Sequence, residues 1–146
     1  MAGVCSASVP VQQTYTFGRL VDASKISQKT KDELQRILNN LGDPPKNRIT
    51  FNGFRTYYGK DGSLNIDVFV RNGYDYAVRN LEATLEVKVG TETIAAAVVS
   101  MPTEYFGKIQ ANSSKVWTIT FKQEQILKKD AKLDTFTIES HCSFKH

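Results

Sequence analysis

Few side chains in this sequence of 146 residues are of the types that do chemistry. The two histidines, His141 and His146, fall at the C-terminal end, and with Cys142 they form the one local group of metal-ligand types. Zinc sites converge four ligands, usually from two separated clusters. No second cluster exists, so the group reads as a chain end and no metal site is expected. Carboxylates for paired acid–base work stand at Asp61, Asp67, Asp75, Glu82 and Glu86. Alternation places Asp67, Glu82 and Glu86 on the solvent sides of strands. No GxSxG elbow, GxxxxGK[ST] loop, HExxH helix or GxGxxG turn occurs. The expectation is a protein with no catalytic residues and no cofactor.

Aromatic residues are the more informative set. Phe54, Tyr57, Tyr58, Phe69, Tyr74, Tyr76, Tyr105 and Phe106 gather around strand ends and turns. Exposed aromatics favour recognition because they give large contact area at low entropic cost. Tyr57, Tyr58, Phe69, Tyr74, Tyr76 and Tyr105 are therefore the candidate protein-binding residues. The competing reading is a second packed layer, in which the N-terminal helix or arm covers such rings. No stretch fits the RNP1 pattern of RNA-binding sheets.

The elements that must position these residues follow from periodicity. Residues 1–23 have no clear period and read as an arm. Leu34, Ile37, Leu38 and Leu41 recur at i, i+3, i+4 and i+7 and define an amphipathic helix over roughly 27–41. Thr30 with Glu33 suggests a capping box, and Gly42 followed by Pro44 and Pro45 supplies the stop. After the prolines the period becomes two. Strands are expected over 49–58, with a bulge at Asn52-Gly53, and over 64–71, 81–89, 93–101, 117–121 and 135–141, with a short helical turn over 123–128. The segment 103–114 is long enough to cross between sheets. In the second strand Leu64, Ile66, Val68 and Val70 form the buried set, which assigns Phe69 to the opposite, outward face. Strands with turns every few residues indicate an immunoglobulin-like antiparallel β-sandwich, mainly β, carrying an N-terminal amphipathic helix. The division expected is an arm and helix over 1–46 and a sandwich over 47–146.

Composition bounds the function classes. With 40% hydrophobic and 23% charged residues the chain is an ordinary globular sequence, long enough to bury about two-thirds of its unfolded surface. No apolar run reaches the length of a membrane span, so no integral membrane segment is expected. The net charge of +4 is interspersed; the densest basic group, Lys122 to Lys132, is broken by Glu124 and Asp130. Nucleic acid is not an expected partner. Cys5 and Cys142 read as free thiols. The N-terminal residues lack the basic and apolar regions of a signal peptide, which points to a cytoplasmic or membrane-peripheral protein.

The stretch ITFNGFRTYYGKDGSLNIDVFVRNGYDYAVRNLEATLEV resembles the opening of the SLAP domain of bacterial accessory Sec system S-layer assembly proteins. The shared features are an aromatic-rich strand, a Gly turn and an alternating strand ending in the dipeptide Arg71-Asn72. ETIAAAVVSMP, FGKIQANSSKVWTITF and QEQILKKDAKLDTFTIES resemble later segments of the family, so the likeness spans about residues 47–140. Where the family's turn before the Trp strand carries prolines, this chain reads QANSSKVW. The resemblance implies a non-enzymatic protein-binding module that assists secretion or assembly of surface-layer proteins, with a secretion ATPase or a surface-layer precursor as partner. An exposed sheet edge would suit such a role, because an unfolded substrate can add a strand to it. The alternative is a structural or adhesive module at the cell surface.

Overall fold

The computed structural model describes residues 13–146. Seven strands form two sheets: β1 (Tyr15–Phe17), β2 (Ile49–Tyr58), β3 (Leu64–Asn72), β4 (Arg79–Val89), β5 (Glu92–Met101), β6 (Ser114–Phe121) and β7 (Thr137–Lys145). The first sheet has the order β1-β6-β3-β2 and the second β5-β4-β7. All pairs are antiparallel except β1 with β6, which is parallel. The hairpins β2–β3 and β4–β5 arise as expected from alternating strands separated by turn residues, and the 103–114 segment carries the chain from the second sheet back to the first. The mainly β sandwich architecture is therefore present.

The sheets pack through the inward set of each strand. Leu64, Ile66, Val68 and Val70 of β3 and Ile119 and Phe121 of β6 meet Leu81, Ala83, Leu85 and Val87 of β4 in one core. A second, smaller core lies on the opposite face of the first sheet. There helix α1 (Gln28–Asn40) lays Leu34 and Leu38 on Phe69, with Tyr15, Phe17, Ile37, Phe54 and Val116 around them. The helical stripe and its bounds were legible in the sequence; its capping residue was not. Ser27 is the N-cap, its Oγ accepting the Thr30 N–H at 3.2 Å, while Glu33 pairs with Arg36 rather than closing a capping box.

Two expectations are corrected by this second core. Phe69 is fully buried, not outward-facing. The face that alternation assigned to solvent is roofed by α1 and β1, so β3 is buried on both sides along much of its length. The bulge in β2 lies between Gly53 and Arg55, which makes Phe54 the extra residue and stacks its ring 4.9 Å from that of Phe69. Part of the arm joins the first sheet: β1 hydrogen-bonds along β6 from Tyr15–Ser114 to Phe17–Val116.

Burial of a large apolar side chain typically contributes about 1.5–3 kcal/mol, and truncating a buried Phe costs about 3–5 kcal/mol because a cavity remains. Phe69→Ala should accordingly lower the urea-unfolding free energy by about 3–5 kcal/mol, whereas Tyr57→Ala, at an exposed site, should change it by less than about 0.5 kcal/mol. Equal effects at the two positions would mean that the helix does not cover β3 in solution.

Candidate protein-binding seam

Interior strand β3 ends in Arg71-Asn72, two polar residues with almost no exposed surface. Their side chains point to opposite faces of the sheet, and each organises what lies on its side. The Asn72 amide nitrogen donates to the carbonyls of Tyr76, Ile109 and Gln110 at 2.8, 3.1 and 3.1 Å, and its oxygen accepts the Tyr74 N–H at 2.9 Å. One side chain thus shapes the turn after β3 and ties it to the 103–114 crossover. On the helix side Arg71 donates to the Gln13 side chain at 2.9 Å and to the Gly42 carbonyl at the end of α1. Burial lowers the pKa of this guanidinium, with Asp43 acting in the opposite sense. The next residue, Gly73, is required by close approach: a Cβ there would collide with the Pro45 carbonyl.

The turn that Asn72 holds presents Tyr74 and Tyr76, stacked at 5.0 Å. Phe144 of β7 lies 5.2 Å from Tyr74, and His146 stacks 4.2 Å from Tyr76. Two of these rings, Tyr74 and Phe144, line a groove of about 450 Å³ together with Arg48, Ile49 and Thr50 at the start of β2 and residues 138–142 of β7. At the other end Phe136 sits over Gly53, where a Cβ would come within 2.6 Å of its ring. The groove runs along the seam of the sandwich, where β2 and β7 approach without pairing. β2 ends the first sheet and β7 the second, so each strand facing the seam pairs on its far side only.

Antiparallel alternation tells which backbone groups of β7 face this seam. Residues 81, 83, 85 and 87 of β4 serve β5, so residues 82, 84, 86 and 88 serve β7 through Ser143, His141, Glu139 and Thr137. The N–H and C=O groups of Ile138, Ser140, Cys142 and Phe144 therefore point to the free edge, and no backbone partner meets them among the described residues. The floor mixes polar and apolar groups, and the Thr50 hydroxyl beside it is buried without a hydrogen-bond partner. Burial raises the pKa of the Cys142 thiol, with a weaker opposing hydrogen bond from Ser140.

The six residues expected to bind protein fall in four places. Tyr74 and Tyr76 come together at the seam. Tyr57 and Tyr58 are exposed at the far end of β2, Tyr57 beneath the Arg55 guanidinium. Tyr105 is exposed on the crossover, where its carbonyl accepts the Arg19 N–H. Phe69 lies beneath α1. Sequence reasoning missed Thr50, Ser140, Cys142 and Phe144. The alternation Ile138, Ser140 within the expected strand would have found Ser140, and its extension past His141 would have added Cys142 and Phe144. Cys5 lies outside the described residues. Among those residues no group of three or more His, Cys, Asp and Glu is placed to hold a metal ion, and no helix is long and apolar enough to cross a membrane.

Fold and site together define a two-sheet β domain with an unpaired, aromatic-ended seam. A family model, the SLAP domain, matches residues 19–141, and the chain belongs to this family. That makes it a surface-layer or secretion-associated domain. Searches of curated proteins and of solved structures each return no match.

Asn72→Ala should cost several kcal/mol, since a buried network loses its centre and leaves backbone groups unpaired, at about 1–3 kcal/mol each. Amide exchange should rise at 73–77 and 109–112 before it rises in β3; uniform acceleration would show that Asn72 is not the local organiser. In a Cys5→Ser chain, alkylation of Cys142 should follow a pH profile displaced above the ordinary thiol pKa of about 8.5. The folded thiol holds its proton more tightly than the unfolded one. Its contribution to stability is thus complete below the unfolded pKa and is lost as pH rises through the folded value. A profile matching that of the urea-unfolded chain would contradict burial of this thiol.

Proposed function

We propose that this domain is a non-enzymatic binding module that holds an extended segment of a surface-layer precursor during its secretion or assembly. The observation that carries the reading is the seam, where backbone donors and acceptors stand in a row at Ile138, Ser140, Cys142 and Phe144. A strand laid there would complete the ladder with its own main chain, and its alternate side chains would enter the groove over Ile49, Ile138 and Tyr74. Main-chain pairing is indifferent to sequence, which suits a client met before it folds. Tyr74, Phe144 and Tyr76 supply rigid contact area where such a strand would leave the groove.

Such work places the domain on the cytoplasmic side of the membrane or at its surface, where precursors are still extended. Tyr74 and Tyr76 are then the binding residues of the original six, and the secretion ATPase is a neighbour in the process rather than the ligand of the seam.

Ser140→Pro tests this. It deletes an N–H that faces the seam while leaving the β4 ladder intact, a position at which an edge strand tolerates proline. Titrating unfolded precursor segments by calorimetry, we expect the variant to bind about tenfold or more weakly, a loss of about 1.4 kcal/mol or more, with circular dichroism unchanged. Unaltered affinity in the folded variant, or binding of the folded precursor alone, would overturn the strand-addition reading.

A further inference from the structure

The two outer edges of the second sheet differ in chemistry. β7, at the seam, carries Glu139 and Lys145, charges of the kind that discourage sheet-to-sheet association. β5, at the opposite edge, reads Ala95-Ala96-Ala97-Val98-Val99-Ser100, with no charge, proline or glycine. Among the described residues only its beginning is covered. The N–H groups of Leu127 and Lys128 donate to the Ile94 carbonyl at 2.8 and 3.2 Å, and Ala95 bridges Ile126. These bonds lie on the side away from β4. By alternation the N–H and C=O groups of Val98 and Ser100 point to that same side, where among the described residues no backbone partner meets them. Val98 stands on the outer face beside Thr84 and is 64% exposed.

We propose that β5 pairs with β5 of a second copy, antiparallel about a two-fold axis through Val98, to give a continuous six-stranded sheet β7-β4-β5-β5-β4-β7. The segment is self-complementary in this register. Val98 faces its own copy, Ala97 faces Val99, and Ala96 faces Ser100, so each pair is small or β-branched and no like charges meet. A two-fold axis closes the assembly at two copies and removes this uncharged edge segment from solvent. The pairing goes beyond the seam reading and is independent of it, since β7 is the far edge of the same sheet. Its consequence for function is bivalence: the dimer carries one seam at each end, and two segments of one extended client can be held with avidity beyond that of either seam.

Sedimentation equilibrium of the full chain across the micromolar range tests the pairing. The expected mass rises with concentration from the monomer's 16.4 kDa towards twice that value. Val98→Lys sets two ammonium groups against each other on the axis and should raise the dimer dissociation constant about tenfold or more. A cross-linking arm does not depend on that variant. With Cys5→Ser and Cys142→Ser in place, Val98→Cys should oxidise readily to a disulfide-linked dimer, because directly opposed residues in a hydrogen-bonded pair lie about 5.5 Å apart between Cα atoms. Thr84→Cys, one strand further in, should not. A monomer at every concentration, a dimer unaffected by Val98→Lys, or equal cross-linking at positions 84 and 98 would overturn the proposal.

Discussion

Asn72 ends β3, an interior strand of the first sheet, with a side chain that has no access to water, and the aromatic end of the seam depends on where its hydrogen bonds go. A primary amide has two donor hydrogens and one acceptor oxygen. Here they reach three carbonyls and one N–H, drawn from the turn after β3 and from the crossover. The backbone N–H of the same residue donates to Ser113 at the head of β6. Two segments that are distant in sequence, joined to each other by the Val78–Ile109 bridge and by the Asn112 N–H on the Tyr74 carbonyl, are thereby also tied to the end of β3. Neither an aspartate, which lacks donors, nor an apolar residue offers that set. Tyr74 and Tyr76 stand half-buried at the seam because the amide beneath them is held in place.

Arg71 does the complementary work on the other face. Its guanidinium is buried without an ion pair among the described residues and is satisfied in part by the α1 terminal carbonyl and the Gln13 side chain. Burying a charge in this way is costly unless hydrogen bonds replace its water. The arrangement therefore resists loss of the helix or of the arm, since either would leave the guanidinium with fewer partners. Together the dipeptide couples the small helix-side core to the seam through one strand end. It is also one of the features shared with the family, which gives that part of the likeness a physical content.

Strand pairing was largely legible in the sequence because alternation reports one buried face directly, and the turns at Gly59–Gly62 and Asn72-Gly73 report their own chemistry. What alternation does not report is a third layer. Phe69 was assigned to solvent because Leu64, Ile66, Val68 and Val70 already formed a complete buried set; the roof over it comes from α1 and β1, which are distant along the chain. Ser27 was passed over as a cap because Thr30 and Glu33 offered the same pattern one turn later. The seam itself was not legible. Which strand becomes an edge is fixed by pairing between segments far apart, and Cys142 and Phe144 gained meaning only once β7 stood across the groove from β2.

The account rests on β7 offering its free edge to an extended client. The most direct measurement is residue-resolved amide exchange along β7 with and without an unfolded surface-layer precursor segment. The account predicts protection gained at alternate residues, Ile138, Ser140, Cys142 and Phe144, while Thr137, Glu139, His141 and Ser143 are protected in both states by β4. Binding that leaves the first set exchanging freely, or that protects β1 or the 57–58 end of β2 instead, would contradict it.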